Sequence, residues 1–193
     1  MAERTSARKA SSTPAIRFAA PVERTGGSTI LRLPAAASAK LPSRGQVAVK
    51  GVMNGHAFLA VLEPDGRRGH WLKVDEKLRE AMAVSAGDTV ALTVEPANDW
   101  PEPDIPGDFQ AALADAPDIS ALWKSITPMA RWEWVRWINA TKNLQTRGRR
   151  VEVSISKLRS GKRRPCCFDL AACTDPDLSK NGILVTEQRT PTT

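Results

Sequence analysis

Residues 46–63, QVAVKGVMNGHAFLAVLE, set two apolar runs on either side of Asn54-Gly55. Asn and Gly tolerate the positive φ angles of a tight turn, so this stretch reads as a β-hairpin. Toward the N-terminus, Ile16 to Val22 and Thr29 to Leu33 are short extended stretches separated by the turn residues Gly26-Gly27. Pro34 then opens an Ala-rich run to Lys40, which predicts one short helix with proline in its first turn. Toward the C-terminus, His70 to Val74 forms a further strand, Asp75 is a suitable N-cap for a helix through Ala81, and Gly87-Asp88 leads into a strand over Thr89 to Glu95. In that last strand Val90, Leu92 and Val94 share one face. Five or six short strands with two small helices in about 80 residues favour a closed or nearly closed barrel, which hides its own edges; a two-layer α+β sandwich is the alternative.

The stretch NDWPEPDIPG (98–107) carries three prolines, which stop helix and strand alike and mark a linker. Beyond it the apolar period changes from two to that of a helix: Phe109 with Leu113, then Ile119, Leu122, Trp123 and Ile126. Thr127-Pro128 supplies an N-cap and a first-turn proline for a helix in which Ala130, Trp134, Trp137, Ile138 and Thr141 form a stripe. A last helix is predicted from near Thr146, with Val151, Ile155 and Leu158 inward, ending at Gly161. The expected fold class is therefore α+β, a small antiparallel β-barrel followed by a small all-α helical module. The expected organisation is a disordered basic tail (1–14), the barrel (15–97), the linker (98–107), the helical module (108–165) and a loosely ordered tail (166–193).

Charge is distributed unevenly. Of the formal +7, residues 142–164 supply +8 (nine Lys or Arg against Glu152), so the remainder sums to −1. Such a local patch attracts phosphates or acidic protein surfaces, whereas evenly spread charge mainly aids solubility. No run nears the roughly 20 apolar residues that span a bilayer, and MAERTSARKASSTP (1–14) lacks the apolar core of a secretory signal, so no integral membrane association and a cytoplasmic location are expected. Cys166, Cys167 and Cys173, an odd number in one segment, argue for reduced thiols over a disulfide framework.

The segment WVRWINATKNLQTRGRRVEVSISKLRSGKRRPCC (134–167) resembles the helical module of the YdeI/OmpD-associated, or bacteriocin-protection, family, through Trp137-Ile138, Lys142, Thr146-Arg147, Arg149-Arg150, Leu158 and Gly161. Upstream, VMNGHAFLAVLEPDGRRGHWLKVDEKLREAMAVSAGDTVALTVE (52–95) resembles the barrel domain of unknown function commonly fused to that module. The two together span about residues 15–167. The resemblance implies an antiparallel, Greek-key-like barrel, a small helical unit, and an association with resistance to bacteriocins or cationic antimicrobial peptides. It implies no particular reaction.

Candidate sites follow from the residue chemistry. His56 and His70 are the two imidazoles, and neither has a nucleophile or orienting carboxylate in a known pattern, so no catalytic residue is assigned. No Cys or His lies at metal-ligand spacing, and adjacent Cys166 and Cys167 diverge, so neither a metal nor a cofactor is expected. The Gly-containing DGRRG (65–69) and TRGRR (146–150) lack the pattern of a phosphate-cradling loop. The tryptophans at 132, 134 and 137 stand beside arginines as stacking platforms do, but Trp134 and Trp137 fall on the stripe with Ile138 and read as core, while Trp132 leans toward another face. Arg147, Arg149, Arg150, Lys157, Lys162, Arg163 and Arg164 are the candidate binding surface for an anionic partner, either an acidic protein surface or nucleic acid. A small-ligand or enzymatic site at the barrel mouth, near Asn54, His56 and Trp71, is a further alternative.

Overall fold

The computed structural model describes residues 14–166 and 169–185. Six strands, β1 (Ile16–Thr25), β2 (Ser28–Arg32), β3 (Val47–Met53), β4 (His56–Pro64), β5 (His70–Lys73) and β6 (Thr89–Pro96), close into a barrel in the order β1-β2-β5-β4-β3-β6. Every pairing is antiparallel, and β6 returns past the β3-β4-β5 meander to lie beside β3, which makes a Greek key.

The local signals produce these elements. Asn54 and Gly55 take φ of 49° and 80° at the β3-β4 turn, and Gly26 and Gly27 take 53° and 81° between β1 and β2. Alternation sends Ile16, Leu31, Val49, Met53, Leu62, Leu92 and Val94 inward, and these side chains fill the barrel interior. Gly51 faces inward too, where a Cβ would stand 2.7 Å from Thr93 O and 2.9 Å from the Phe58 ring, so its missing side chain makes room for Phe58. Two short helices cover the barrel ends: α1 (Ala35–Ser38) after Pro34, and α2 (Glu76–Met82), whose first turn donates Leu78 N–H to Asp75 Oδ1 at 2.7 Å.

The helical module comprises α3 (Gly107–Ala114), a 3-10 turn at Pro117–Ile119, α4 (Ser120–Ser125), α5 (Pro128–Asn139) and α6 (Leu144–Arg159). Phe109, Ile119, Ile126, Ala130, Trp134, Ile138, Val151, Ile155 and Leu158 form its core, and Phe109 meets Trp123 edge to face at 5.4 Å. Thr127 Oγ1 caps α5 by accepting from Ala130 N–H at 3.2 Å. The proline-rich linker lies against α5: Trp132 Nε1 donates to Pro101 O at 2.7 Å, and Arg131 forks onto Glu102. Trp132 is thus the anchor of the linker.

The structure departs from the sequence-based expectation beyond Pro165. Residues 169–185, expected to be loosely ordered, form a strap with a two-strand ladder, β7 (Ser179–Lys180) and β8 (Ile183–Leu184), and they contribute buried Cys173, Leu178 and Leu184. These three pack with Ile30 and Trp71 on the outer wall of the barrel. The expectations for residues 1–13 and 186–193 lie outside the described residues.

Candidate anionic-partner surface

Helix α6 begins two residues before the predicted Thr146, because Asn143 Oδ1 accepts from Thr146 N–H at 2.8 Å and acts as the N-cap. It ends in a Schellman arrangement, with Lys162 N–H to Lys157 O (3.0 Å) and Gly161 N–H to Leu158 O (2.9 Å) around Gly161 at φ 78°. Its inward face is the predicted Val151, Ile155 and Leu158.

Of the seven predicted cationic residues, five are engaged within the chain. Arg147 forks onto Asp108, with Nε to Oδ2 at 2.6 Å and Nη2 to Oδ1 at 2.9 Å, and also reaches Asn139 Oδ1 at 2.9 Å. It thereby joins α6 to α3 and α5, and its hydrogen bonds hold the Asp108 carboxyl below the ordinary range. Arg164 pairs with the buried Glu133 through Nε to Oε2 at 2.6 Å and through Nη2 to Oε1, and this bonding raises the guanidinium pKa. Arg163 donates to Ser125 O at 2.6 Å, capping α4, while its own carbonyl accepts from Trp134 Nε1 at 3.2 Å. Arg150 donates to Trp137 O at 2.7 Å with its Cζ 5.6 Å from the Trp137 ring centroid, and partial burial lowers its pKa. Lys157 Nζ lies 5.7 Å from the same centroid and 2.6 Å from Cys166 Sγ. Arg149 and Lys162 are exposed, and their side chains have no hydrogen bond or ion pair among the described residues.

These pairings reduce the charge that the segment presents. Lys142, Arg147, Arg159 and Arg164 are matched by Asp177, Asp108, Asp118 and Glu133, four acids from outside residues 142–164. The +8 of that segment less these four leaves +4, from Arg149, Arg150, Lys157, Lys162 and Arg163 against Glu152. Trp137 is half-buried and faced by two of these cations, and Trp134 is fully buried, so the tryptophans do not present bare stacking faces.

The three residues proposed at the barrel mouth are not brought together. Asn54 and His56 sit at the β3-β4 turn, where Asn54 Nδ2 donates to Met82 O at 3.2 Å and His56 is exposed. Trp71 pairs with Glu63 at the other end of β4, about 23 Å away at the usual strand rise, and its ring faces outward under the strap with Nε1 donating to Pro64 O at 3.1 Å. The barrel interior between them is filled by side chains. Among the described residues no group of three or more His, Cys, Asp or Glu could hold a metal ion, and no helix is long and apolar enough to cross a membrane.

His70 is fully buried, its Nε2–H donating to Gly45 O at 3.0 Å and its Nδ1 without a partner. Burial lowers its pKa, Arg44 lowers it further, and the carbonyl of Gly45 and the carboxylate of Asp65 act in the opposite direction. A folded pKa below the unfolded value of about 6.5 gives stability that is present above that pH and is lost as pH falls, because the unfolded chain takes the proton first. Urea titrations of the wild type should show stability falling below about pH 6.5 by up to about 1.4 kcal/mol per pH unit, and His70→Gln should remove this component of the slope. An unchanged slope would assign the acid sensitivity elsewhere.

The residue that sequence reasoning missed is Arg136. In an amphipathic reading of α5 it faces solvent, yet it is 6% exposed. Its guanidinium donates to Thr174 Oγ1 (2.9 Å), Leu170 O (3.1 Å) and Ala172 O in the strap, and lies 3.3 Å from Glu63 Oε2 in the barrel. Glu63 also accepts from Gln46 Nε2 at 2.6 Å. Burial lowers the pKa of Arg136 and raises that of Glu63, and each charge opposes the shift of the other. Its neighbours in sequence do not signal this, since Glu63, Leu170, Ala172 and Thr174 are all remote in the chain.

Fold and surface together define a class: a filled Greek-key barrel fused to a small helical module with a residual positive face. Residues 18–94 match the family described as a domain of unknown function (DUF1905), and residues 102–161 match the family described as Bacteriocin-protection, YdeI or OmpD-Associated. The chain is thus similar to the first family over its barrel and to the bacteriocin-protection family over its helical module. Among curated proteins, none matches the chain.

Proposed function

We propose that the protein is a non-enzymatic, bacteriocin-protection-associated binding protein of the cytoplasm, in which the cationic face of the helical module engages an anionic partner and the barrel serves as scaffold. The observation that carries this reading is the +4 that persists along α6 and its following turn after four cations have been matched by remote acids. Arg150 and Lys157 are held in place against Trp137, so less side-chain freedom is lost when they meet an anion. A positive surface repels cationic peptides, so protection by this route is indirect, through the partner, and direct peptide sequestration is disfavoured.

The test is deletion of the gene followed by a panel of bacteriocins and cationic peptides. Deletion should raise sensitivity, the wild-type gene should restore resistance, and Arg149→Gln/Lys162→Gln should fail to restore it while melting at the wild-type temperature, since neither side chain has a structural partner. Unchanged sensitivity across the panel overturns the resistance role. Nucleic acid as the partner is distinguished by mobility shifts at two salt concentrations. A phosphate-bearing partner gives affinity that falls steeply with salt, with a log-log slope reduced by up to about 2 in the double variant. Absence of binding at low salt leaves an acidic protein surface as the partner.

A further inference from the structure

We propose that residues 169–185 form an intramolecular latch, a strap that opens as a local unit and whose closure locks the helical module onto the barrel. This goes beyond the partner-binding reading and stands without it. Both matched domains end before the strap, at residues 94 and 161, so it belongs to neither. Direct packing between the barrel strands and helices α3 to α6 is sparse. The strap makes up for this by holding both sides.

On the barrel side, Leu178, Leu184 and Cys173 cover Ile30 and Trp71. The strap backbone is drawn close: Leu184 N–H donates to Asp65 O at 2.9 Å, and Arg32 donates to Val185 O. Gly26 and Gly66, both at positive φ, lie so near Asp177 O and Gly182 O that a Cβ at either position would collide with the strap backbone. Lys73 pairs with Asp175 at 3.2 Å. On the helical side, Arg136 binds the two carbonyls and the Thr174 hydroxyl, and Lys142 pairs with Asp177.

The strap has little cohesion of its own. Its regular structure is one ladder of two-residue strands, and its buried side chains point at the barrel. A segment with so few buried contacts sits at the low end of local opening free energies, well below the barrel with its closed set of hydrogen-bonded strands. Opening would uncover Trp71, strip Arg136 of its strap acceptors and leave the two domains joined by the proline-rich linker and the Arg136–Glu63 pair.

Cys173, 2% exposed, is a built-in reporter, and burial pushes its thiol up to about 11. The experiment uses the full chain with Cys166→Ser/Cys167→Ser, which leaves Cys173 as the sole thiol, and measures thiol labelling at fixed pH in urea concentrations below the unfolding transition. Labelling should be about 100-fold slower than that of Cys166 in a Cys167→Ser/Cys173→Ser chain, and its rate should depend on urea far less steeply than global unfolding does. Leu178→Ala should speed labelling about tenfold or more with little change in the unfolding of the barrel. Should that variant fail to fold, Lys142→Gln, which breaks one exposed tie to the strap, should speed it two- to fivefold, an effect on the order of a surface ion pair. The latch is overturned if Cys173 labels with the urea dependence of global unfolding, if it labels as fast as an exposed thiol, or if the folded strap variant leaves its rate unchanged.

Discussion

Arg136→Met should cost about 3–5 kcal/mol in urea denaturation, the penalty for removing one partner of a buried charge pair. The loss comes from what is left behind. Glu63 keeps its burial without its cation, and the carbonyls of Leu170 and Ala172 lose their donor. Adding Glu63→Gln to the variant removes the stranded charge while Gln46 remains beside it, so the double variant should recover a substantial part of the loss. If Arg136→Met costs under about 1 kcal/mol, the guanidinium is not the strut that its bonds to the strap imply.

Trp71→Ala should be about as severe, about 3–5 kcal/mol, the range for truncating a fully buried Trp. Trp71 is 2% exposed and shares a small cluster with Ile30, Cys173, Leu178 and Leu184. The cavity opens under the strap and outside the barrel, so the variant should show an early loss of strap protection followed by unfolding of the barrel at a higher urea concentration. His56→Ala, at the exposed end of the hairpin, should leave stability within about 0.5 kcal/mol. A Trp71 loss confined to a single cooperative transition would mean that the strap and barrel unfold together.

Much of the architecture was legible because its signals are local. Asn54-Gly55, Asp75, Thr127-Pro128 and Gly161 each act within a few residues of their own position, through positive φ or through capping hydrogen bonds. Inward residues followed from a period of two in the barrel and from the helical period in α5 and α6. Trp71 shows where this reasoning stops: alternation places it on one side of β5, but only the strap determines that the outward side is buried. Arg136 fails for a related reason. The pattern WEWVRW assigns it to a polar face, and that face is covered by a segment some 35 residues further along the chain.

The sequence by itself determined the strands, helices and turns of the barrel and the helical module and the placement of +8 in one segment, because propensity, periodicity and formal charge are properties of neighbours. Only the tertiary structure decided how much of that charge faces outward. Asp108, Asp118 and Glu133 lie 39, 41 and 31 residues from the arginines they pair with, so their pairing depends on how the helices cross. A carboxylate within hydrogen-bond distance cancels a cation's outward field, whereas one only near in sequence need not, and that difference turns a run of basic residues into part scaffold and part surface.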